Sequence, residues 1–268
     1  MRCALIGHPA AHSLSPALHR AGYASLGLEW TYDAIDVAPD ELGAFVGGLG
    51  DEWRGLSVTM QHKEAITALG RIDEVVELTG VANTLVLDAD APRVHNTDVA
   101  GFITACRRAG IDALNSIAIL GNGATARSVL VGAARLGARD VTVCVRSLAR
   151  AVAMLDLGER LGVRTTVQHL GDELPRVDMV ASTLPAEAAA DLASGVVGHA
   201  QSVFDVLDHP WPTTLARAAA DAAMPLISGL DLLVGQAVDQ FELFTGHRVE
   251  ADVFASAGQA ALSQRAGI

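Results

Sequence analysis

Lysine and aromatic residues are scarce in this sequence. The chain of 268 residues carries 19 lysine and arginine residues, and only Lys63 among them is lysine. Aromatic residues make up 4% of the chain, and the formal net charge is −12. Nucleic acids and anionic membranes attract basic surfaces, so we do not expect either as a partner.

The sequence also lacks paired cysteines and long apolar runs. Its three cysteines are scattered, and no CxxC pair occurs, which argues against a disulfide framework or a zinc knuckle. No uninterrupted apolar stretch is long enough to span a bilayer. The apolar "CALIG" near the N-terminus is too short for the core of a signal peptide. A reducing, cytoplasmic setting is therefore expected.

The dominant pattern is a repeated order of strand, turn and helix. Half of the residues are hydrophobic, enough for one large domain or two small ones. A helix is predicted from Pro16 to Gly27, with Ser15 as its N-cap. Such alternation favours an α/β fold whose parallel sheets are covered on both faces. The predicted helix near 99–109 is the best candidate for a connection between domains.

A glycine-rich turn lies in "SIAILGNGATARSVLVGAARLGARDVTVCVRS". A buried strand runs into Gly121 and Gly123, a helix follows at once, and a second strand completes the unit. This order is typical of a dinucleotide-binding site, where glycines let the backbone approach a pyrophosphate at the helix N-terminus. The second strand ends in Arg146 and Ser147 rather than a carboxylate, which favours NADP over NAD. An ordinary glycine-rich turn with a solvated arginine is the other interpretation.

The single lysine raises a chemical question. Arginine stays protonated at any workable pH, whereas an amine can exchange a proton. An enzyme that reduces a ketone with a nicotinamide cofactor needs a proton donor for the oxygen. Lys63 follows a predicted strand, where ligand sites of α/β folds gather. Its position alone does not distinguish two interpretations: that Lys63 is catalytic, or that it is retained by chance on a solvated helix face.

Short polar side chains follow other predicted strands or lie in loops of the first hundred residues. They are Ser13, Ser15, Thr59, Asn83, Thr84 and Asp98. Each has a local structural explanation, as a helix cap or a turn residue. Together they suit a small acid with several hydroxyl groups.

Seven segments, in this order, resemble the shikimate dehydrogenase family. They are "SLSP", "SVTMQHK", "GVANTLV", "NTDVAGF", "GNGATARSV", "DVLDHPWPTTL" and "SGLDLLVGQAVDQFELFTG". The resemblance extends from about residue 4 to residue 246. It implies two α/β domains around a cleft: a substrate-binding domain with a mixed sheet (1–100 plus 231–268) and a Rossmann-type NADP-binding domain (101–230).

The resemblance also implies an activity and its residues. The family reduces 3-dehydroshikimate to shikimate with NADPH, reversibly, in aromatic amino acid biosynthesis. Lys63 and Asp98 would be the catalytic pair. The implied substrate contacts are Ser13, Ser15, Thr59, Asn83 and Gln236. The implied cofactor contacts are Gly121, Gly123, Ala124, Arg146, Ser147, Thr183 and Gly229. We expect a monomer or homodimer.

The sequence departs from the family pattern at several positions. Asp208 stands where a tyrosine is common, Ser57 where asparagine is frequent, and Gln61 where proline is frequent. Val145 precedes Arg146 in place of the usual asparagine. Asp208 leaves open a quinate- or aminoshikimate-type paralogue, including one that uses NAD. A redox sensor that binds NADP without turnover is a further alternative, although it would need neither member of the catalytic pair.

No metal site is expected from the histidines near the N-terminus. His8, His12 and His19 fall across a loop and a helix start rather than on one helix face, and metal ligands need to converge.

Overall fold

The computed structural model describes residues 1–88 and 90–266. The chain divides into two compact units. Unit 1 comprises Met1–Gly101 and the chain from Leu233 onward, and unit 2 comprises Phe102–Leu232. No helix within the described residues combines the length and apolar character needed to cross a bilayer.

Unit 1 is built on a six-stranded sheet. Its strands are β1 (Arg2–Gly7), β2 (Thr31–Asp36), β3 (Trp53–Val58), β4 (Arg71–Ile72), β5 (Thr84–Val86) and β6 (Arg93–His95). Its helices are α1 (Ser15–Ser25), α2 (Leu42–Gly47), α3 (His62–Ala65), α4 (Glu74–Thr79) and α12 (Ala251–Ala266). Helices α5 (Asp98–Arg108) and α11 (Gly229–Thr245) each cross the boundary between the units.

The sheet of unit 1 is mixed. Its strand order is β2-β1-β3-β5-β6-β4. Strand β1 pairs parallel with β2 and β3, whereas β5 pairs antiparallel with both β3 and β6. Antiparallel neighbours need only a short connection, whereas parallel ones need a crossover. The short connection between β5 and β6 fits their antiparallel pairing, whereas β4 pairs parallel with β6.

Unit 2 is built on a second six-stranded sheet. Its strands are β7 (Ser116–Leu120), β8 (Asp140–Val145), β9 (Arg164–His169), β10 (Val177–Ser182), β11 (Ala200–Asp205) and β12 (Leu226–Ile227). Its helices are α6 (Ala124–Arg135), α7 (Val152–Leu161), α8 (Ala186–Ala190), α9 (Ala193–His199) and α10 (Thr214–Asp221).

Every strand pair in unit 2 is parallel, in the order β12-β11-β10-β7-β8-β9. The chain starts at β7, proceeds to β8 and β9, and then crosses back to β10 on the other side of β7. Such a reversal is a topological switch point, and ligands of open α/β sheets bind beside it at the carboxyl ends of the strands. The predicted fold class, two α/β domains with a mixed sheet in the first, is confirmed.

The predicted cap of α1 is wrong. Ser15 is the first helical residue, and Leu14 occupies the N-cap without a side-chain hydrogen bond. The polar contact comes from one position earlier still, because Ser13 Oγ accepts from the backbone N–H of Ser15 at 3.1 Å. The proline after Ser15 can occupy either of the first two helical positions, so it does not by itself locate the cap.

The sequence interpretation also misses several short elements. It does not predict strand β4 or helices α4, α7, α8, α9 and α10. Helix α4 carries local signals, since Asp73 Oδ1 accepts from the N–H of Val76 at 2.8 Å and Gly80 ends the helix with φ +67°. The element spans only six residues, which is too few for a clear hydrophobic period.

An aromatic cluster packs α1 against α11 and α12. Tyr23 lies 5.3 Å from Phe241, and Phe241 lies 5.6 Å from Phe254, measured between ring centroids. A Cβ added at Gly22 would come within 2.6 Å of the Phe241 ring. Truncating a buried phenylalanine such as Phe241 to alanine typically costs about 3–5 kcal/mol, so this cluster fixes α11 in unit 1.

Candidate functional site

Lys63 and Asp98 form a buried ion pair in unit 1. Lys63 lies in α3, just after the carboxyl end of β3, and Asp98 is the first residue of α5. The two side chains meet with Nζ 2.5 Å from Oδ2. Their side chains are 11% and 6% exposed. The structure therefore brings together two residues that lie 35 positions apart in the sequence, and little water reaches the pair.

The second oxygen of Asp98 is also occupied. Asn83 Nδ2 donates to Asp98 Oδ1 at 2.9 Å. The backbone N–H of Asp98 donates to Asn96 Oδ1 at 3.0 Å. The carboxylate thus accepts one side-chain donor on each oxygen, while the position at the start of α5 favours its negative charge. Neighbouring donors therefore fix the orientation of the carboxylate.

Gln236 joins the same network from α11. Its Oε1 accepts from Asn83 Nδ2 at 3.1 Å, although the two residues are 153 positions apart. The approach of α11 to α5 depends on Gly101, because a Cβ there would lie 2.7 Å from the backbone nitrogen of Gln236. Thr97, which the sequence interpretation does not select, donates its backbone N–H to Asn83 Oδ1 at 2.8 Å.

We call these five side chains, Lys63, Asp98, Asn83, Gln236 and Thr97, the polar cluster. The cluster does not include the other three predicted substrate residues. Ser13 and Ser15 lie at the start of α1, where Ser15 is 2% exposed. Thr59 follows β3, and its Cγ2 lies 2.6 Å from a Cβ added at Gly7, the last residue of β1. Ser13, Ser15 and Thr59 thus follow the carboxyl ends of the neighbouring parallel strands β1 and β3.

The glycine-rich turn of unit 2 has the backbone that the sequence predicts. Gly121 has φ +109°, a region that favours glycine. A Cβ there would lie 2.5 Å from Thr183 Oγ1, whose hydroxyl donates to the carbonyl of Leu120 at 2.9 Å. Gly123 is the N-cap of α6, Ala124 is the first helical residue, and a Cβ at Gly123 would meet open space.

A cavity of about 250 Å³ opens beside this turn. Its lining includes Gly121, Gly123, Arg146, Ser147 and Thr183, as well as Asn122 and Arg150. The sequence interpretation misses the last two. Asn122 Nδ2 donates to the carbonyl of Arg150 at 2.7 Å, which ties the turn to the segment after β8. Arg150 follows Arg146 by only four residues, and this closeness in sequence is the signal that could have identified it.

The chemistry of this cavity suits a phosphorylated dinucleotide. The N-terminus of α6 supplies backbone N–H groups and a positive dipole end, and the open space at Gly123 leaves room for a close approach to the backbone. Two exposed guanidinium groups lie at the end of β8, without a carboxylate among the lining residues. Burial raises the pKa of Cys144, which also lines the cavity, to about 12, so its thiol is neutral.

Gly229 has a structural explanation of its own. It is the first residue of α11, and it is buried. A Cβ there would lie 2.7 Å from the backbone carbonyl carbon of Leu207, so only glycine permits this approach of two backbones. Gly229 is not among the residues that line the cavity. Asp208 lies in the segment that follows β11 and is half-buried.

Comparison with known proteins decides the family. The model of the shikimate dehydrogenase substrate binding domain matches residues 5–85, and that of the shikimate 5'-dehydrogenase C-terminal domain matches residues 229–257. The chain is 33% identical to the shikimate dehydrogenase (NADP(+)) of Methanocella arvoryzae over 96% of its own length and 98% of that protein. The chain belongs to the shikimate dehydrogenase family.

Other members of the family are similar over almost the whole chain. The shikimate dehydrogenase (NADP(+)) of Rubrobacter xylanophilus is 35% identical over 93% of this chain and 91% of that protein. The crystal structure of Mycobacterium tuberculosis shikimate dehydrogenase matches with a TM-score of 0.89 and 39% identity, covering 97% of this chain and 99% of that one.

A further similar structure is a complex with ligands. It is the shikimate 5-dehydrogenase of Thermus thermophilus in complex with NADP(H) and shikimate. It matches with a TM-score of 0.83 and 28% identity, covering 97% of this chain and 99% of that one.

Proposed function

We propose that this protein catalyses the reversible reduction of 3-dehydroshikimate to shikimate with NADPH. Unit 1 would bind the substrate and unit 2 the cofactor. The observation that carries the proposal is the buried ion pair of Lys63 and Asp98, with the carboxylate also held by Asn83. A redox sensor without turnover would have no use for a titratable amine held in this way.

The proposed chemistry assigns the proton to Lys63. NADPH, when bound, supplies a hydride to the carbonyl carbon. The ammonium of Lys63 gives its proton to the carbonyl oxygen, which becomes the hydroxyl of the product, and the amine is left neutral. In the reverse direction the neutral amine takes the hydroxyl proton. Asp98 holds the ammonium in place through the hydrogen bond from Nζ to Oδ2.

The remaining polar residues of unit 1 would bind a small hydroxylated acid. Asn83 and Gln236 carry amide groups that can donate to and accept from hydroxyls. Ser13 and Ser15, at the start of α1, would hold the carboxylate, because a helix N-terminus favours an anion. Thr59, beside the end of β1, completes the proposed set of substrate contacts.

The residues of unit 2 support NADP as the cofactor. Gly121, Gly123 and Ala124 would cradle the pyrophosphate at the start of α6. Arg146, Ser147 and Arg150 would bind the 2′-phosphate, since guanidinium groups form charge-assisted hydrogen bonds with phosphate. Thr183 and Gly229 are proposed to lie near the nicotinamide. The relatives named above as NADP(+) enzymes support the same choice.

We propose a cytoplasmic setting and a monomer or homodimer. The three cysteines are free and buried, as in proteins of reducing compartments. Analytical ultracentrifugation of the purified protein would establish the oligomeric state.

Steady-state assays test the proposed reaction directly. The purified protein is supplied with shikimate and NADP, and the near-ultraviolet absorbance of NADPH is followed. Parallel reactions replace NADP with NAD, and shikimate with quinate. We expect turnover with shikimate and NADP to be the fastest. Faster turnover with quinate would indicate the paralogue that Asp208 leaves open. Cofactor binding without any turnover would contradict the proposal and favour the sensor.

A further inference from the structure

Gln240 is a buried glutamine that the proposed mechanism does not use. It lies in α11, one helical turn after Gln236, and is 1% exposed. Burying an amide is costly unless its hydrogen-bonding groups are satisfied. Each of its four hydrogen-bonding positions therefore needs a partner within the protein.

The amide nitrogen of Gln240 reaches the backbone behind the polar cluster. Nε2 donates to the carbonyl of Asn83 at 3.0 Å and to Thr84 Oγ1 at 2.9 Å. The backbone N–H of Val58 donates to the same carbonyl at 2.7 Å. A carbonyl can only accept, so the nitrogen of Gln240 and not its oxygen must face Asn83.

The amide oxygen of Gln240 is held from the opposite side. Ser57 Oγ donates to Oε1 at 2.8 Å, and the hydroxyl of Tyr32 in turn donates to Ser57 Oγ at 2.5 Å. His19 Nε2 lies 3.4 Å from the same Oε1. Since burial lowers the pKa of His19 to about 3, its ring is neutral, and the Nε2–H tautomer makes this contact a donor. Gln240 thus has two donors and two acceptors as partners, the full capacity of a primary amide.

The hydroxyl of Thr84 links the amide of Gln240 to the side-chain amide of Asn83. Because Thr84 Oγ1 accepts from Gln240, its own proton is available for Asn83 Oδ1, which lies 2.9 Å away. The side-chain oxygen of Asn83 faces Thr84 as well as the backbone N–H of Thr97, and its nitrogen faces Asp98. If the Asn83 amide were reversed, its oxygen would lie against the carboxylate and the Asp98 hydrogen bond would be lost.

We propose that Gln240 is a positioning residue, which holds Asn83 and through it the Lys63–Asp98 pair. The inference rests on the function proposed above. Gln240 does not belong to the polar cluster and acts through the backbone carbonyl of Asn83 and the hydroxyl of Thr84. Its contribution is to keep the carboxylate in one orientation during proton transfer.

Two substitutions of Gln240 test the inference, with Phe241→Leu as a matched control. Phe241 is the next residue of α11 and is also fully buried, but its side chain is apolar and packs against the rings of Tyr23, Phe254 and His19. Gln240→Leu removes every hydrogen bond of the amide. We expect its kcat to fall roughly 10- to 100-fold, because small displacements of reacting groups are costly. The KM for NADPH should not change, since the proposed cofactor contacts lie in unit 2.

Gln240→Glu keeps the shape of the side chain and adds a readout that packing alone would not give. An ionised glutamate cannot donate to Asn83 or Thr84, whereas a protonated one can donate once. Burial raises the pKa of a carboxyl, so kcat relative to the wild type should rise as the pH falls from about 9 to about 6. The ratio for Phe241→Leu should stay constant.

Circular dichroism establishes which variants are folded before kinetics are compared. If Gln240→Leu does not fold, the pH dependence of Gln240→Glu decides. A kcat for Gln240→Leu within about threefold of the wild type, or an equal loss in Phe241→Leu, would overturn the inference. So would a pH-independent ratio for Gln240→Glu. A wild-type protein that does not turn over shikimate would instead refute the proposed function itself.

Discussion

Replacing Lys63 with methionine removes the amine of the proposed catalytic pair and leaves its partner in place. Asp98 loses the contact with Nζ but keeps the hydrogen bond from Asn83 Nδ2 at 2.9 Å and its place at the start of α5. Breaking a buried pair on one side costs about 3–5 kcal/mol. Because Asn83 and the helix N-terminus still compensate the carboxylate, we expect a loss of about 2–3 kcal/mol in the free energy of unfolding.

Lys63→Met should also lower turnover, through the loss of the proton donor rather than through the loss of stability. Removing a general acid typically lowers a rate by about 10²–10⁴-fold, which corresponds to roughly 2.7–5.5 kcal/mol in the activation barrier. Shikimate should still bind, because the proposed contacts to its hydroxyl and carboxylate groups are unchanged. Lys63→Arg is the matched variant, since arginine keeps the positive charge for Asp98 but does not release a proton.

The assay follows NADPH absorbance for wild type, Lys63→Met and Lys63→Arg, and calorimetric titration with shikimate measures binding. Urea denaturation gives the free energy of unfolding. We expect both variants to lose turnover, and only the methionine variant to lose appreciable stability. Turnover by Lys63→Arg comparable to the wild type would show that charge rather than proton transfer matters. Wild-type turnover by Lys63→Met would remove the lysine from the mechanism.

Three further predictions concern the cofactor, the backbone and pH. Alanine at Arg146 or at Arg150 should raise the KM for NADPH roughly 10- to 100-fold and leave the KM for NADH unchanged, because a hydrogen bond to a charged group contributes about 1.5–3 kcal/mol. Steady-state kinetics with both cofactors measures this. Equal effects on NADPH and NADH would contradict the assignment of these arginines to the 2′-phosphate. Gly229→Ala should destabilise the protein by about 3 kcal/mol or more in urea denaturation, because the added Cβ would lie 2.7 Å from a backbone carbon. A denaturation midpoint equal to that of the wild type would show that the backbone relaxes to admit the methyl group. Burial lowers the pKa of His19 from 6.5 to about 3. Between these two pH values the unfolded chain carries one more proton on His19 than the folded chain does. As the pH falls through this range, the free energy of unfolding should therefore decrease by roughly 1.4 kcal/mol per pH unit. His19→Gln should show a slope shallower by one proton, and identical slopes would refute the assignment.

Local signals predict the elements that carry the cofactor turn. The segment from β7 through α6 to β8 has a buried apolar strand, a glycine that adopts φ +109° and a helix of twelve residues. Each of these features depends on neighbours in sequence, so spacing alone is enough. Helix α1 shows the limit of the same reasoning. Serine is a common N-cap residue, and both Ser13 and Ser15 suit that role. In the structure Leu14 is the N-cap, and Ser13, just before it, accepts the hydrogen bond from the N–H of Ser15.

The candidate site is predicted less completely. Lys63, Asn83 and Asp98 are selected from their residue types and positions, and Gln236 only through the family resemblance. The structure places all four in one polar cluster. Thr97, like Asn122, Arg150 and Gln240 elsewhere, is missed. Thr97 and Gln240 both lie in segments that carry the family resemblance, but neither residue type at its position points by itself to the site. Their significance follows from hydrogen bonds to residues on other strands and helices.

The sequence by itself determined the alternation of strands and helices, the glycine turn and the presence of a single amine side chain. It did so because local conformation follows from apolar spacing and from the freedom of glycine. Only the tertiary structure decided the strand order of the two sheets and which polar groups meet. Gln236 and Gln240 each form a hydrogen bond with Asn83, although they follow it by 153 and 157 residues in the sequence. Such partners are set by the packing of α11 in unit 1, and no spacing along the chain encodes them.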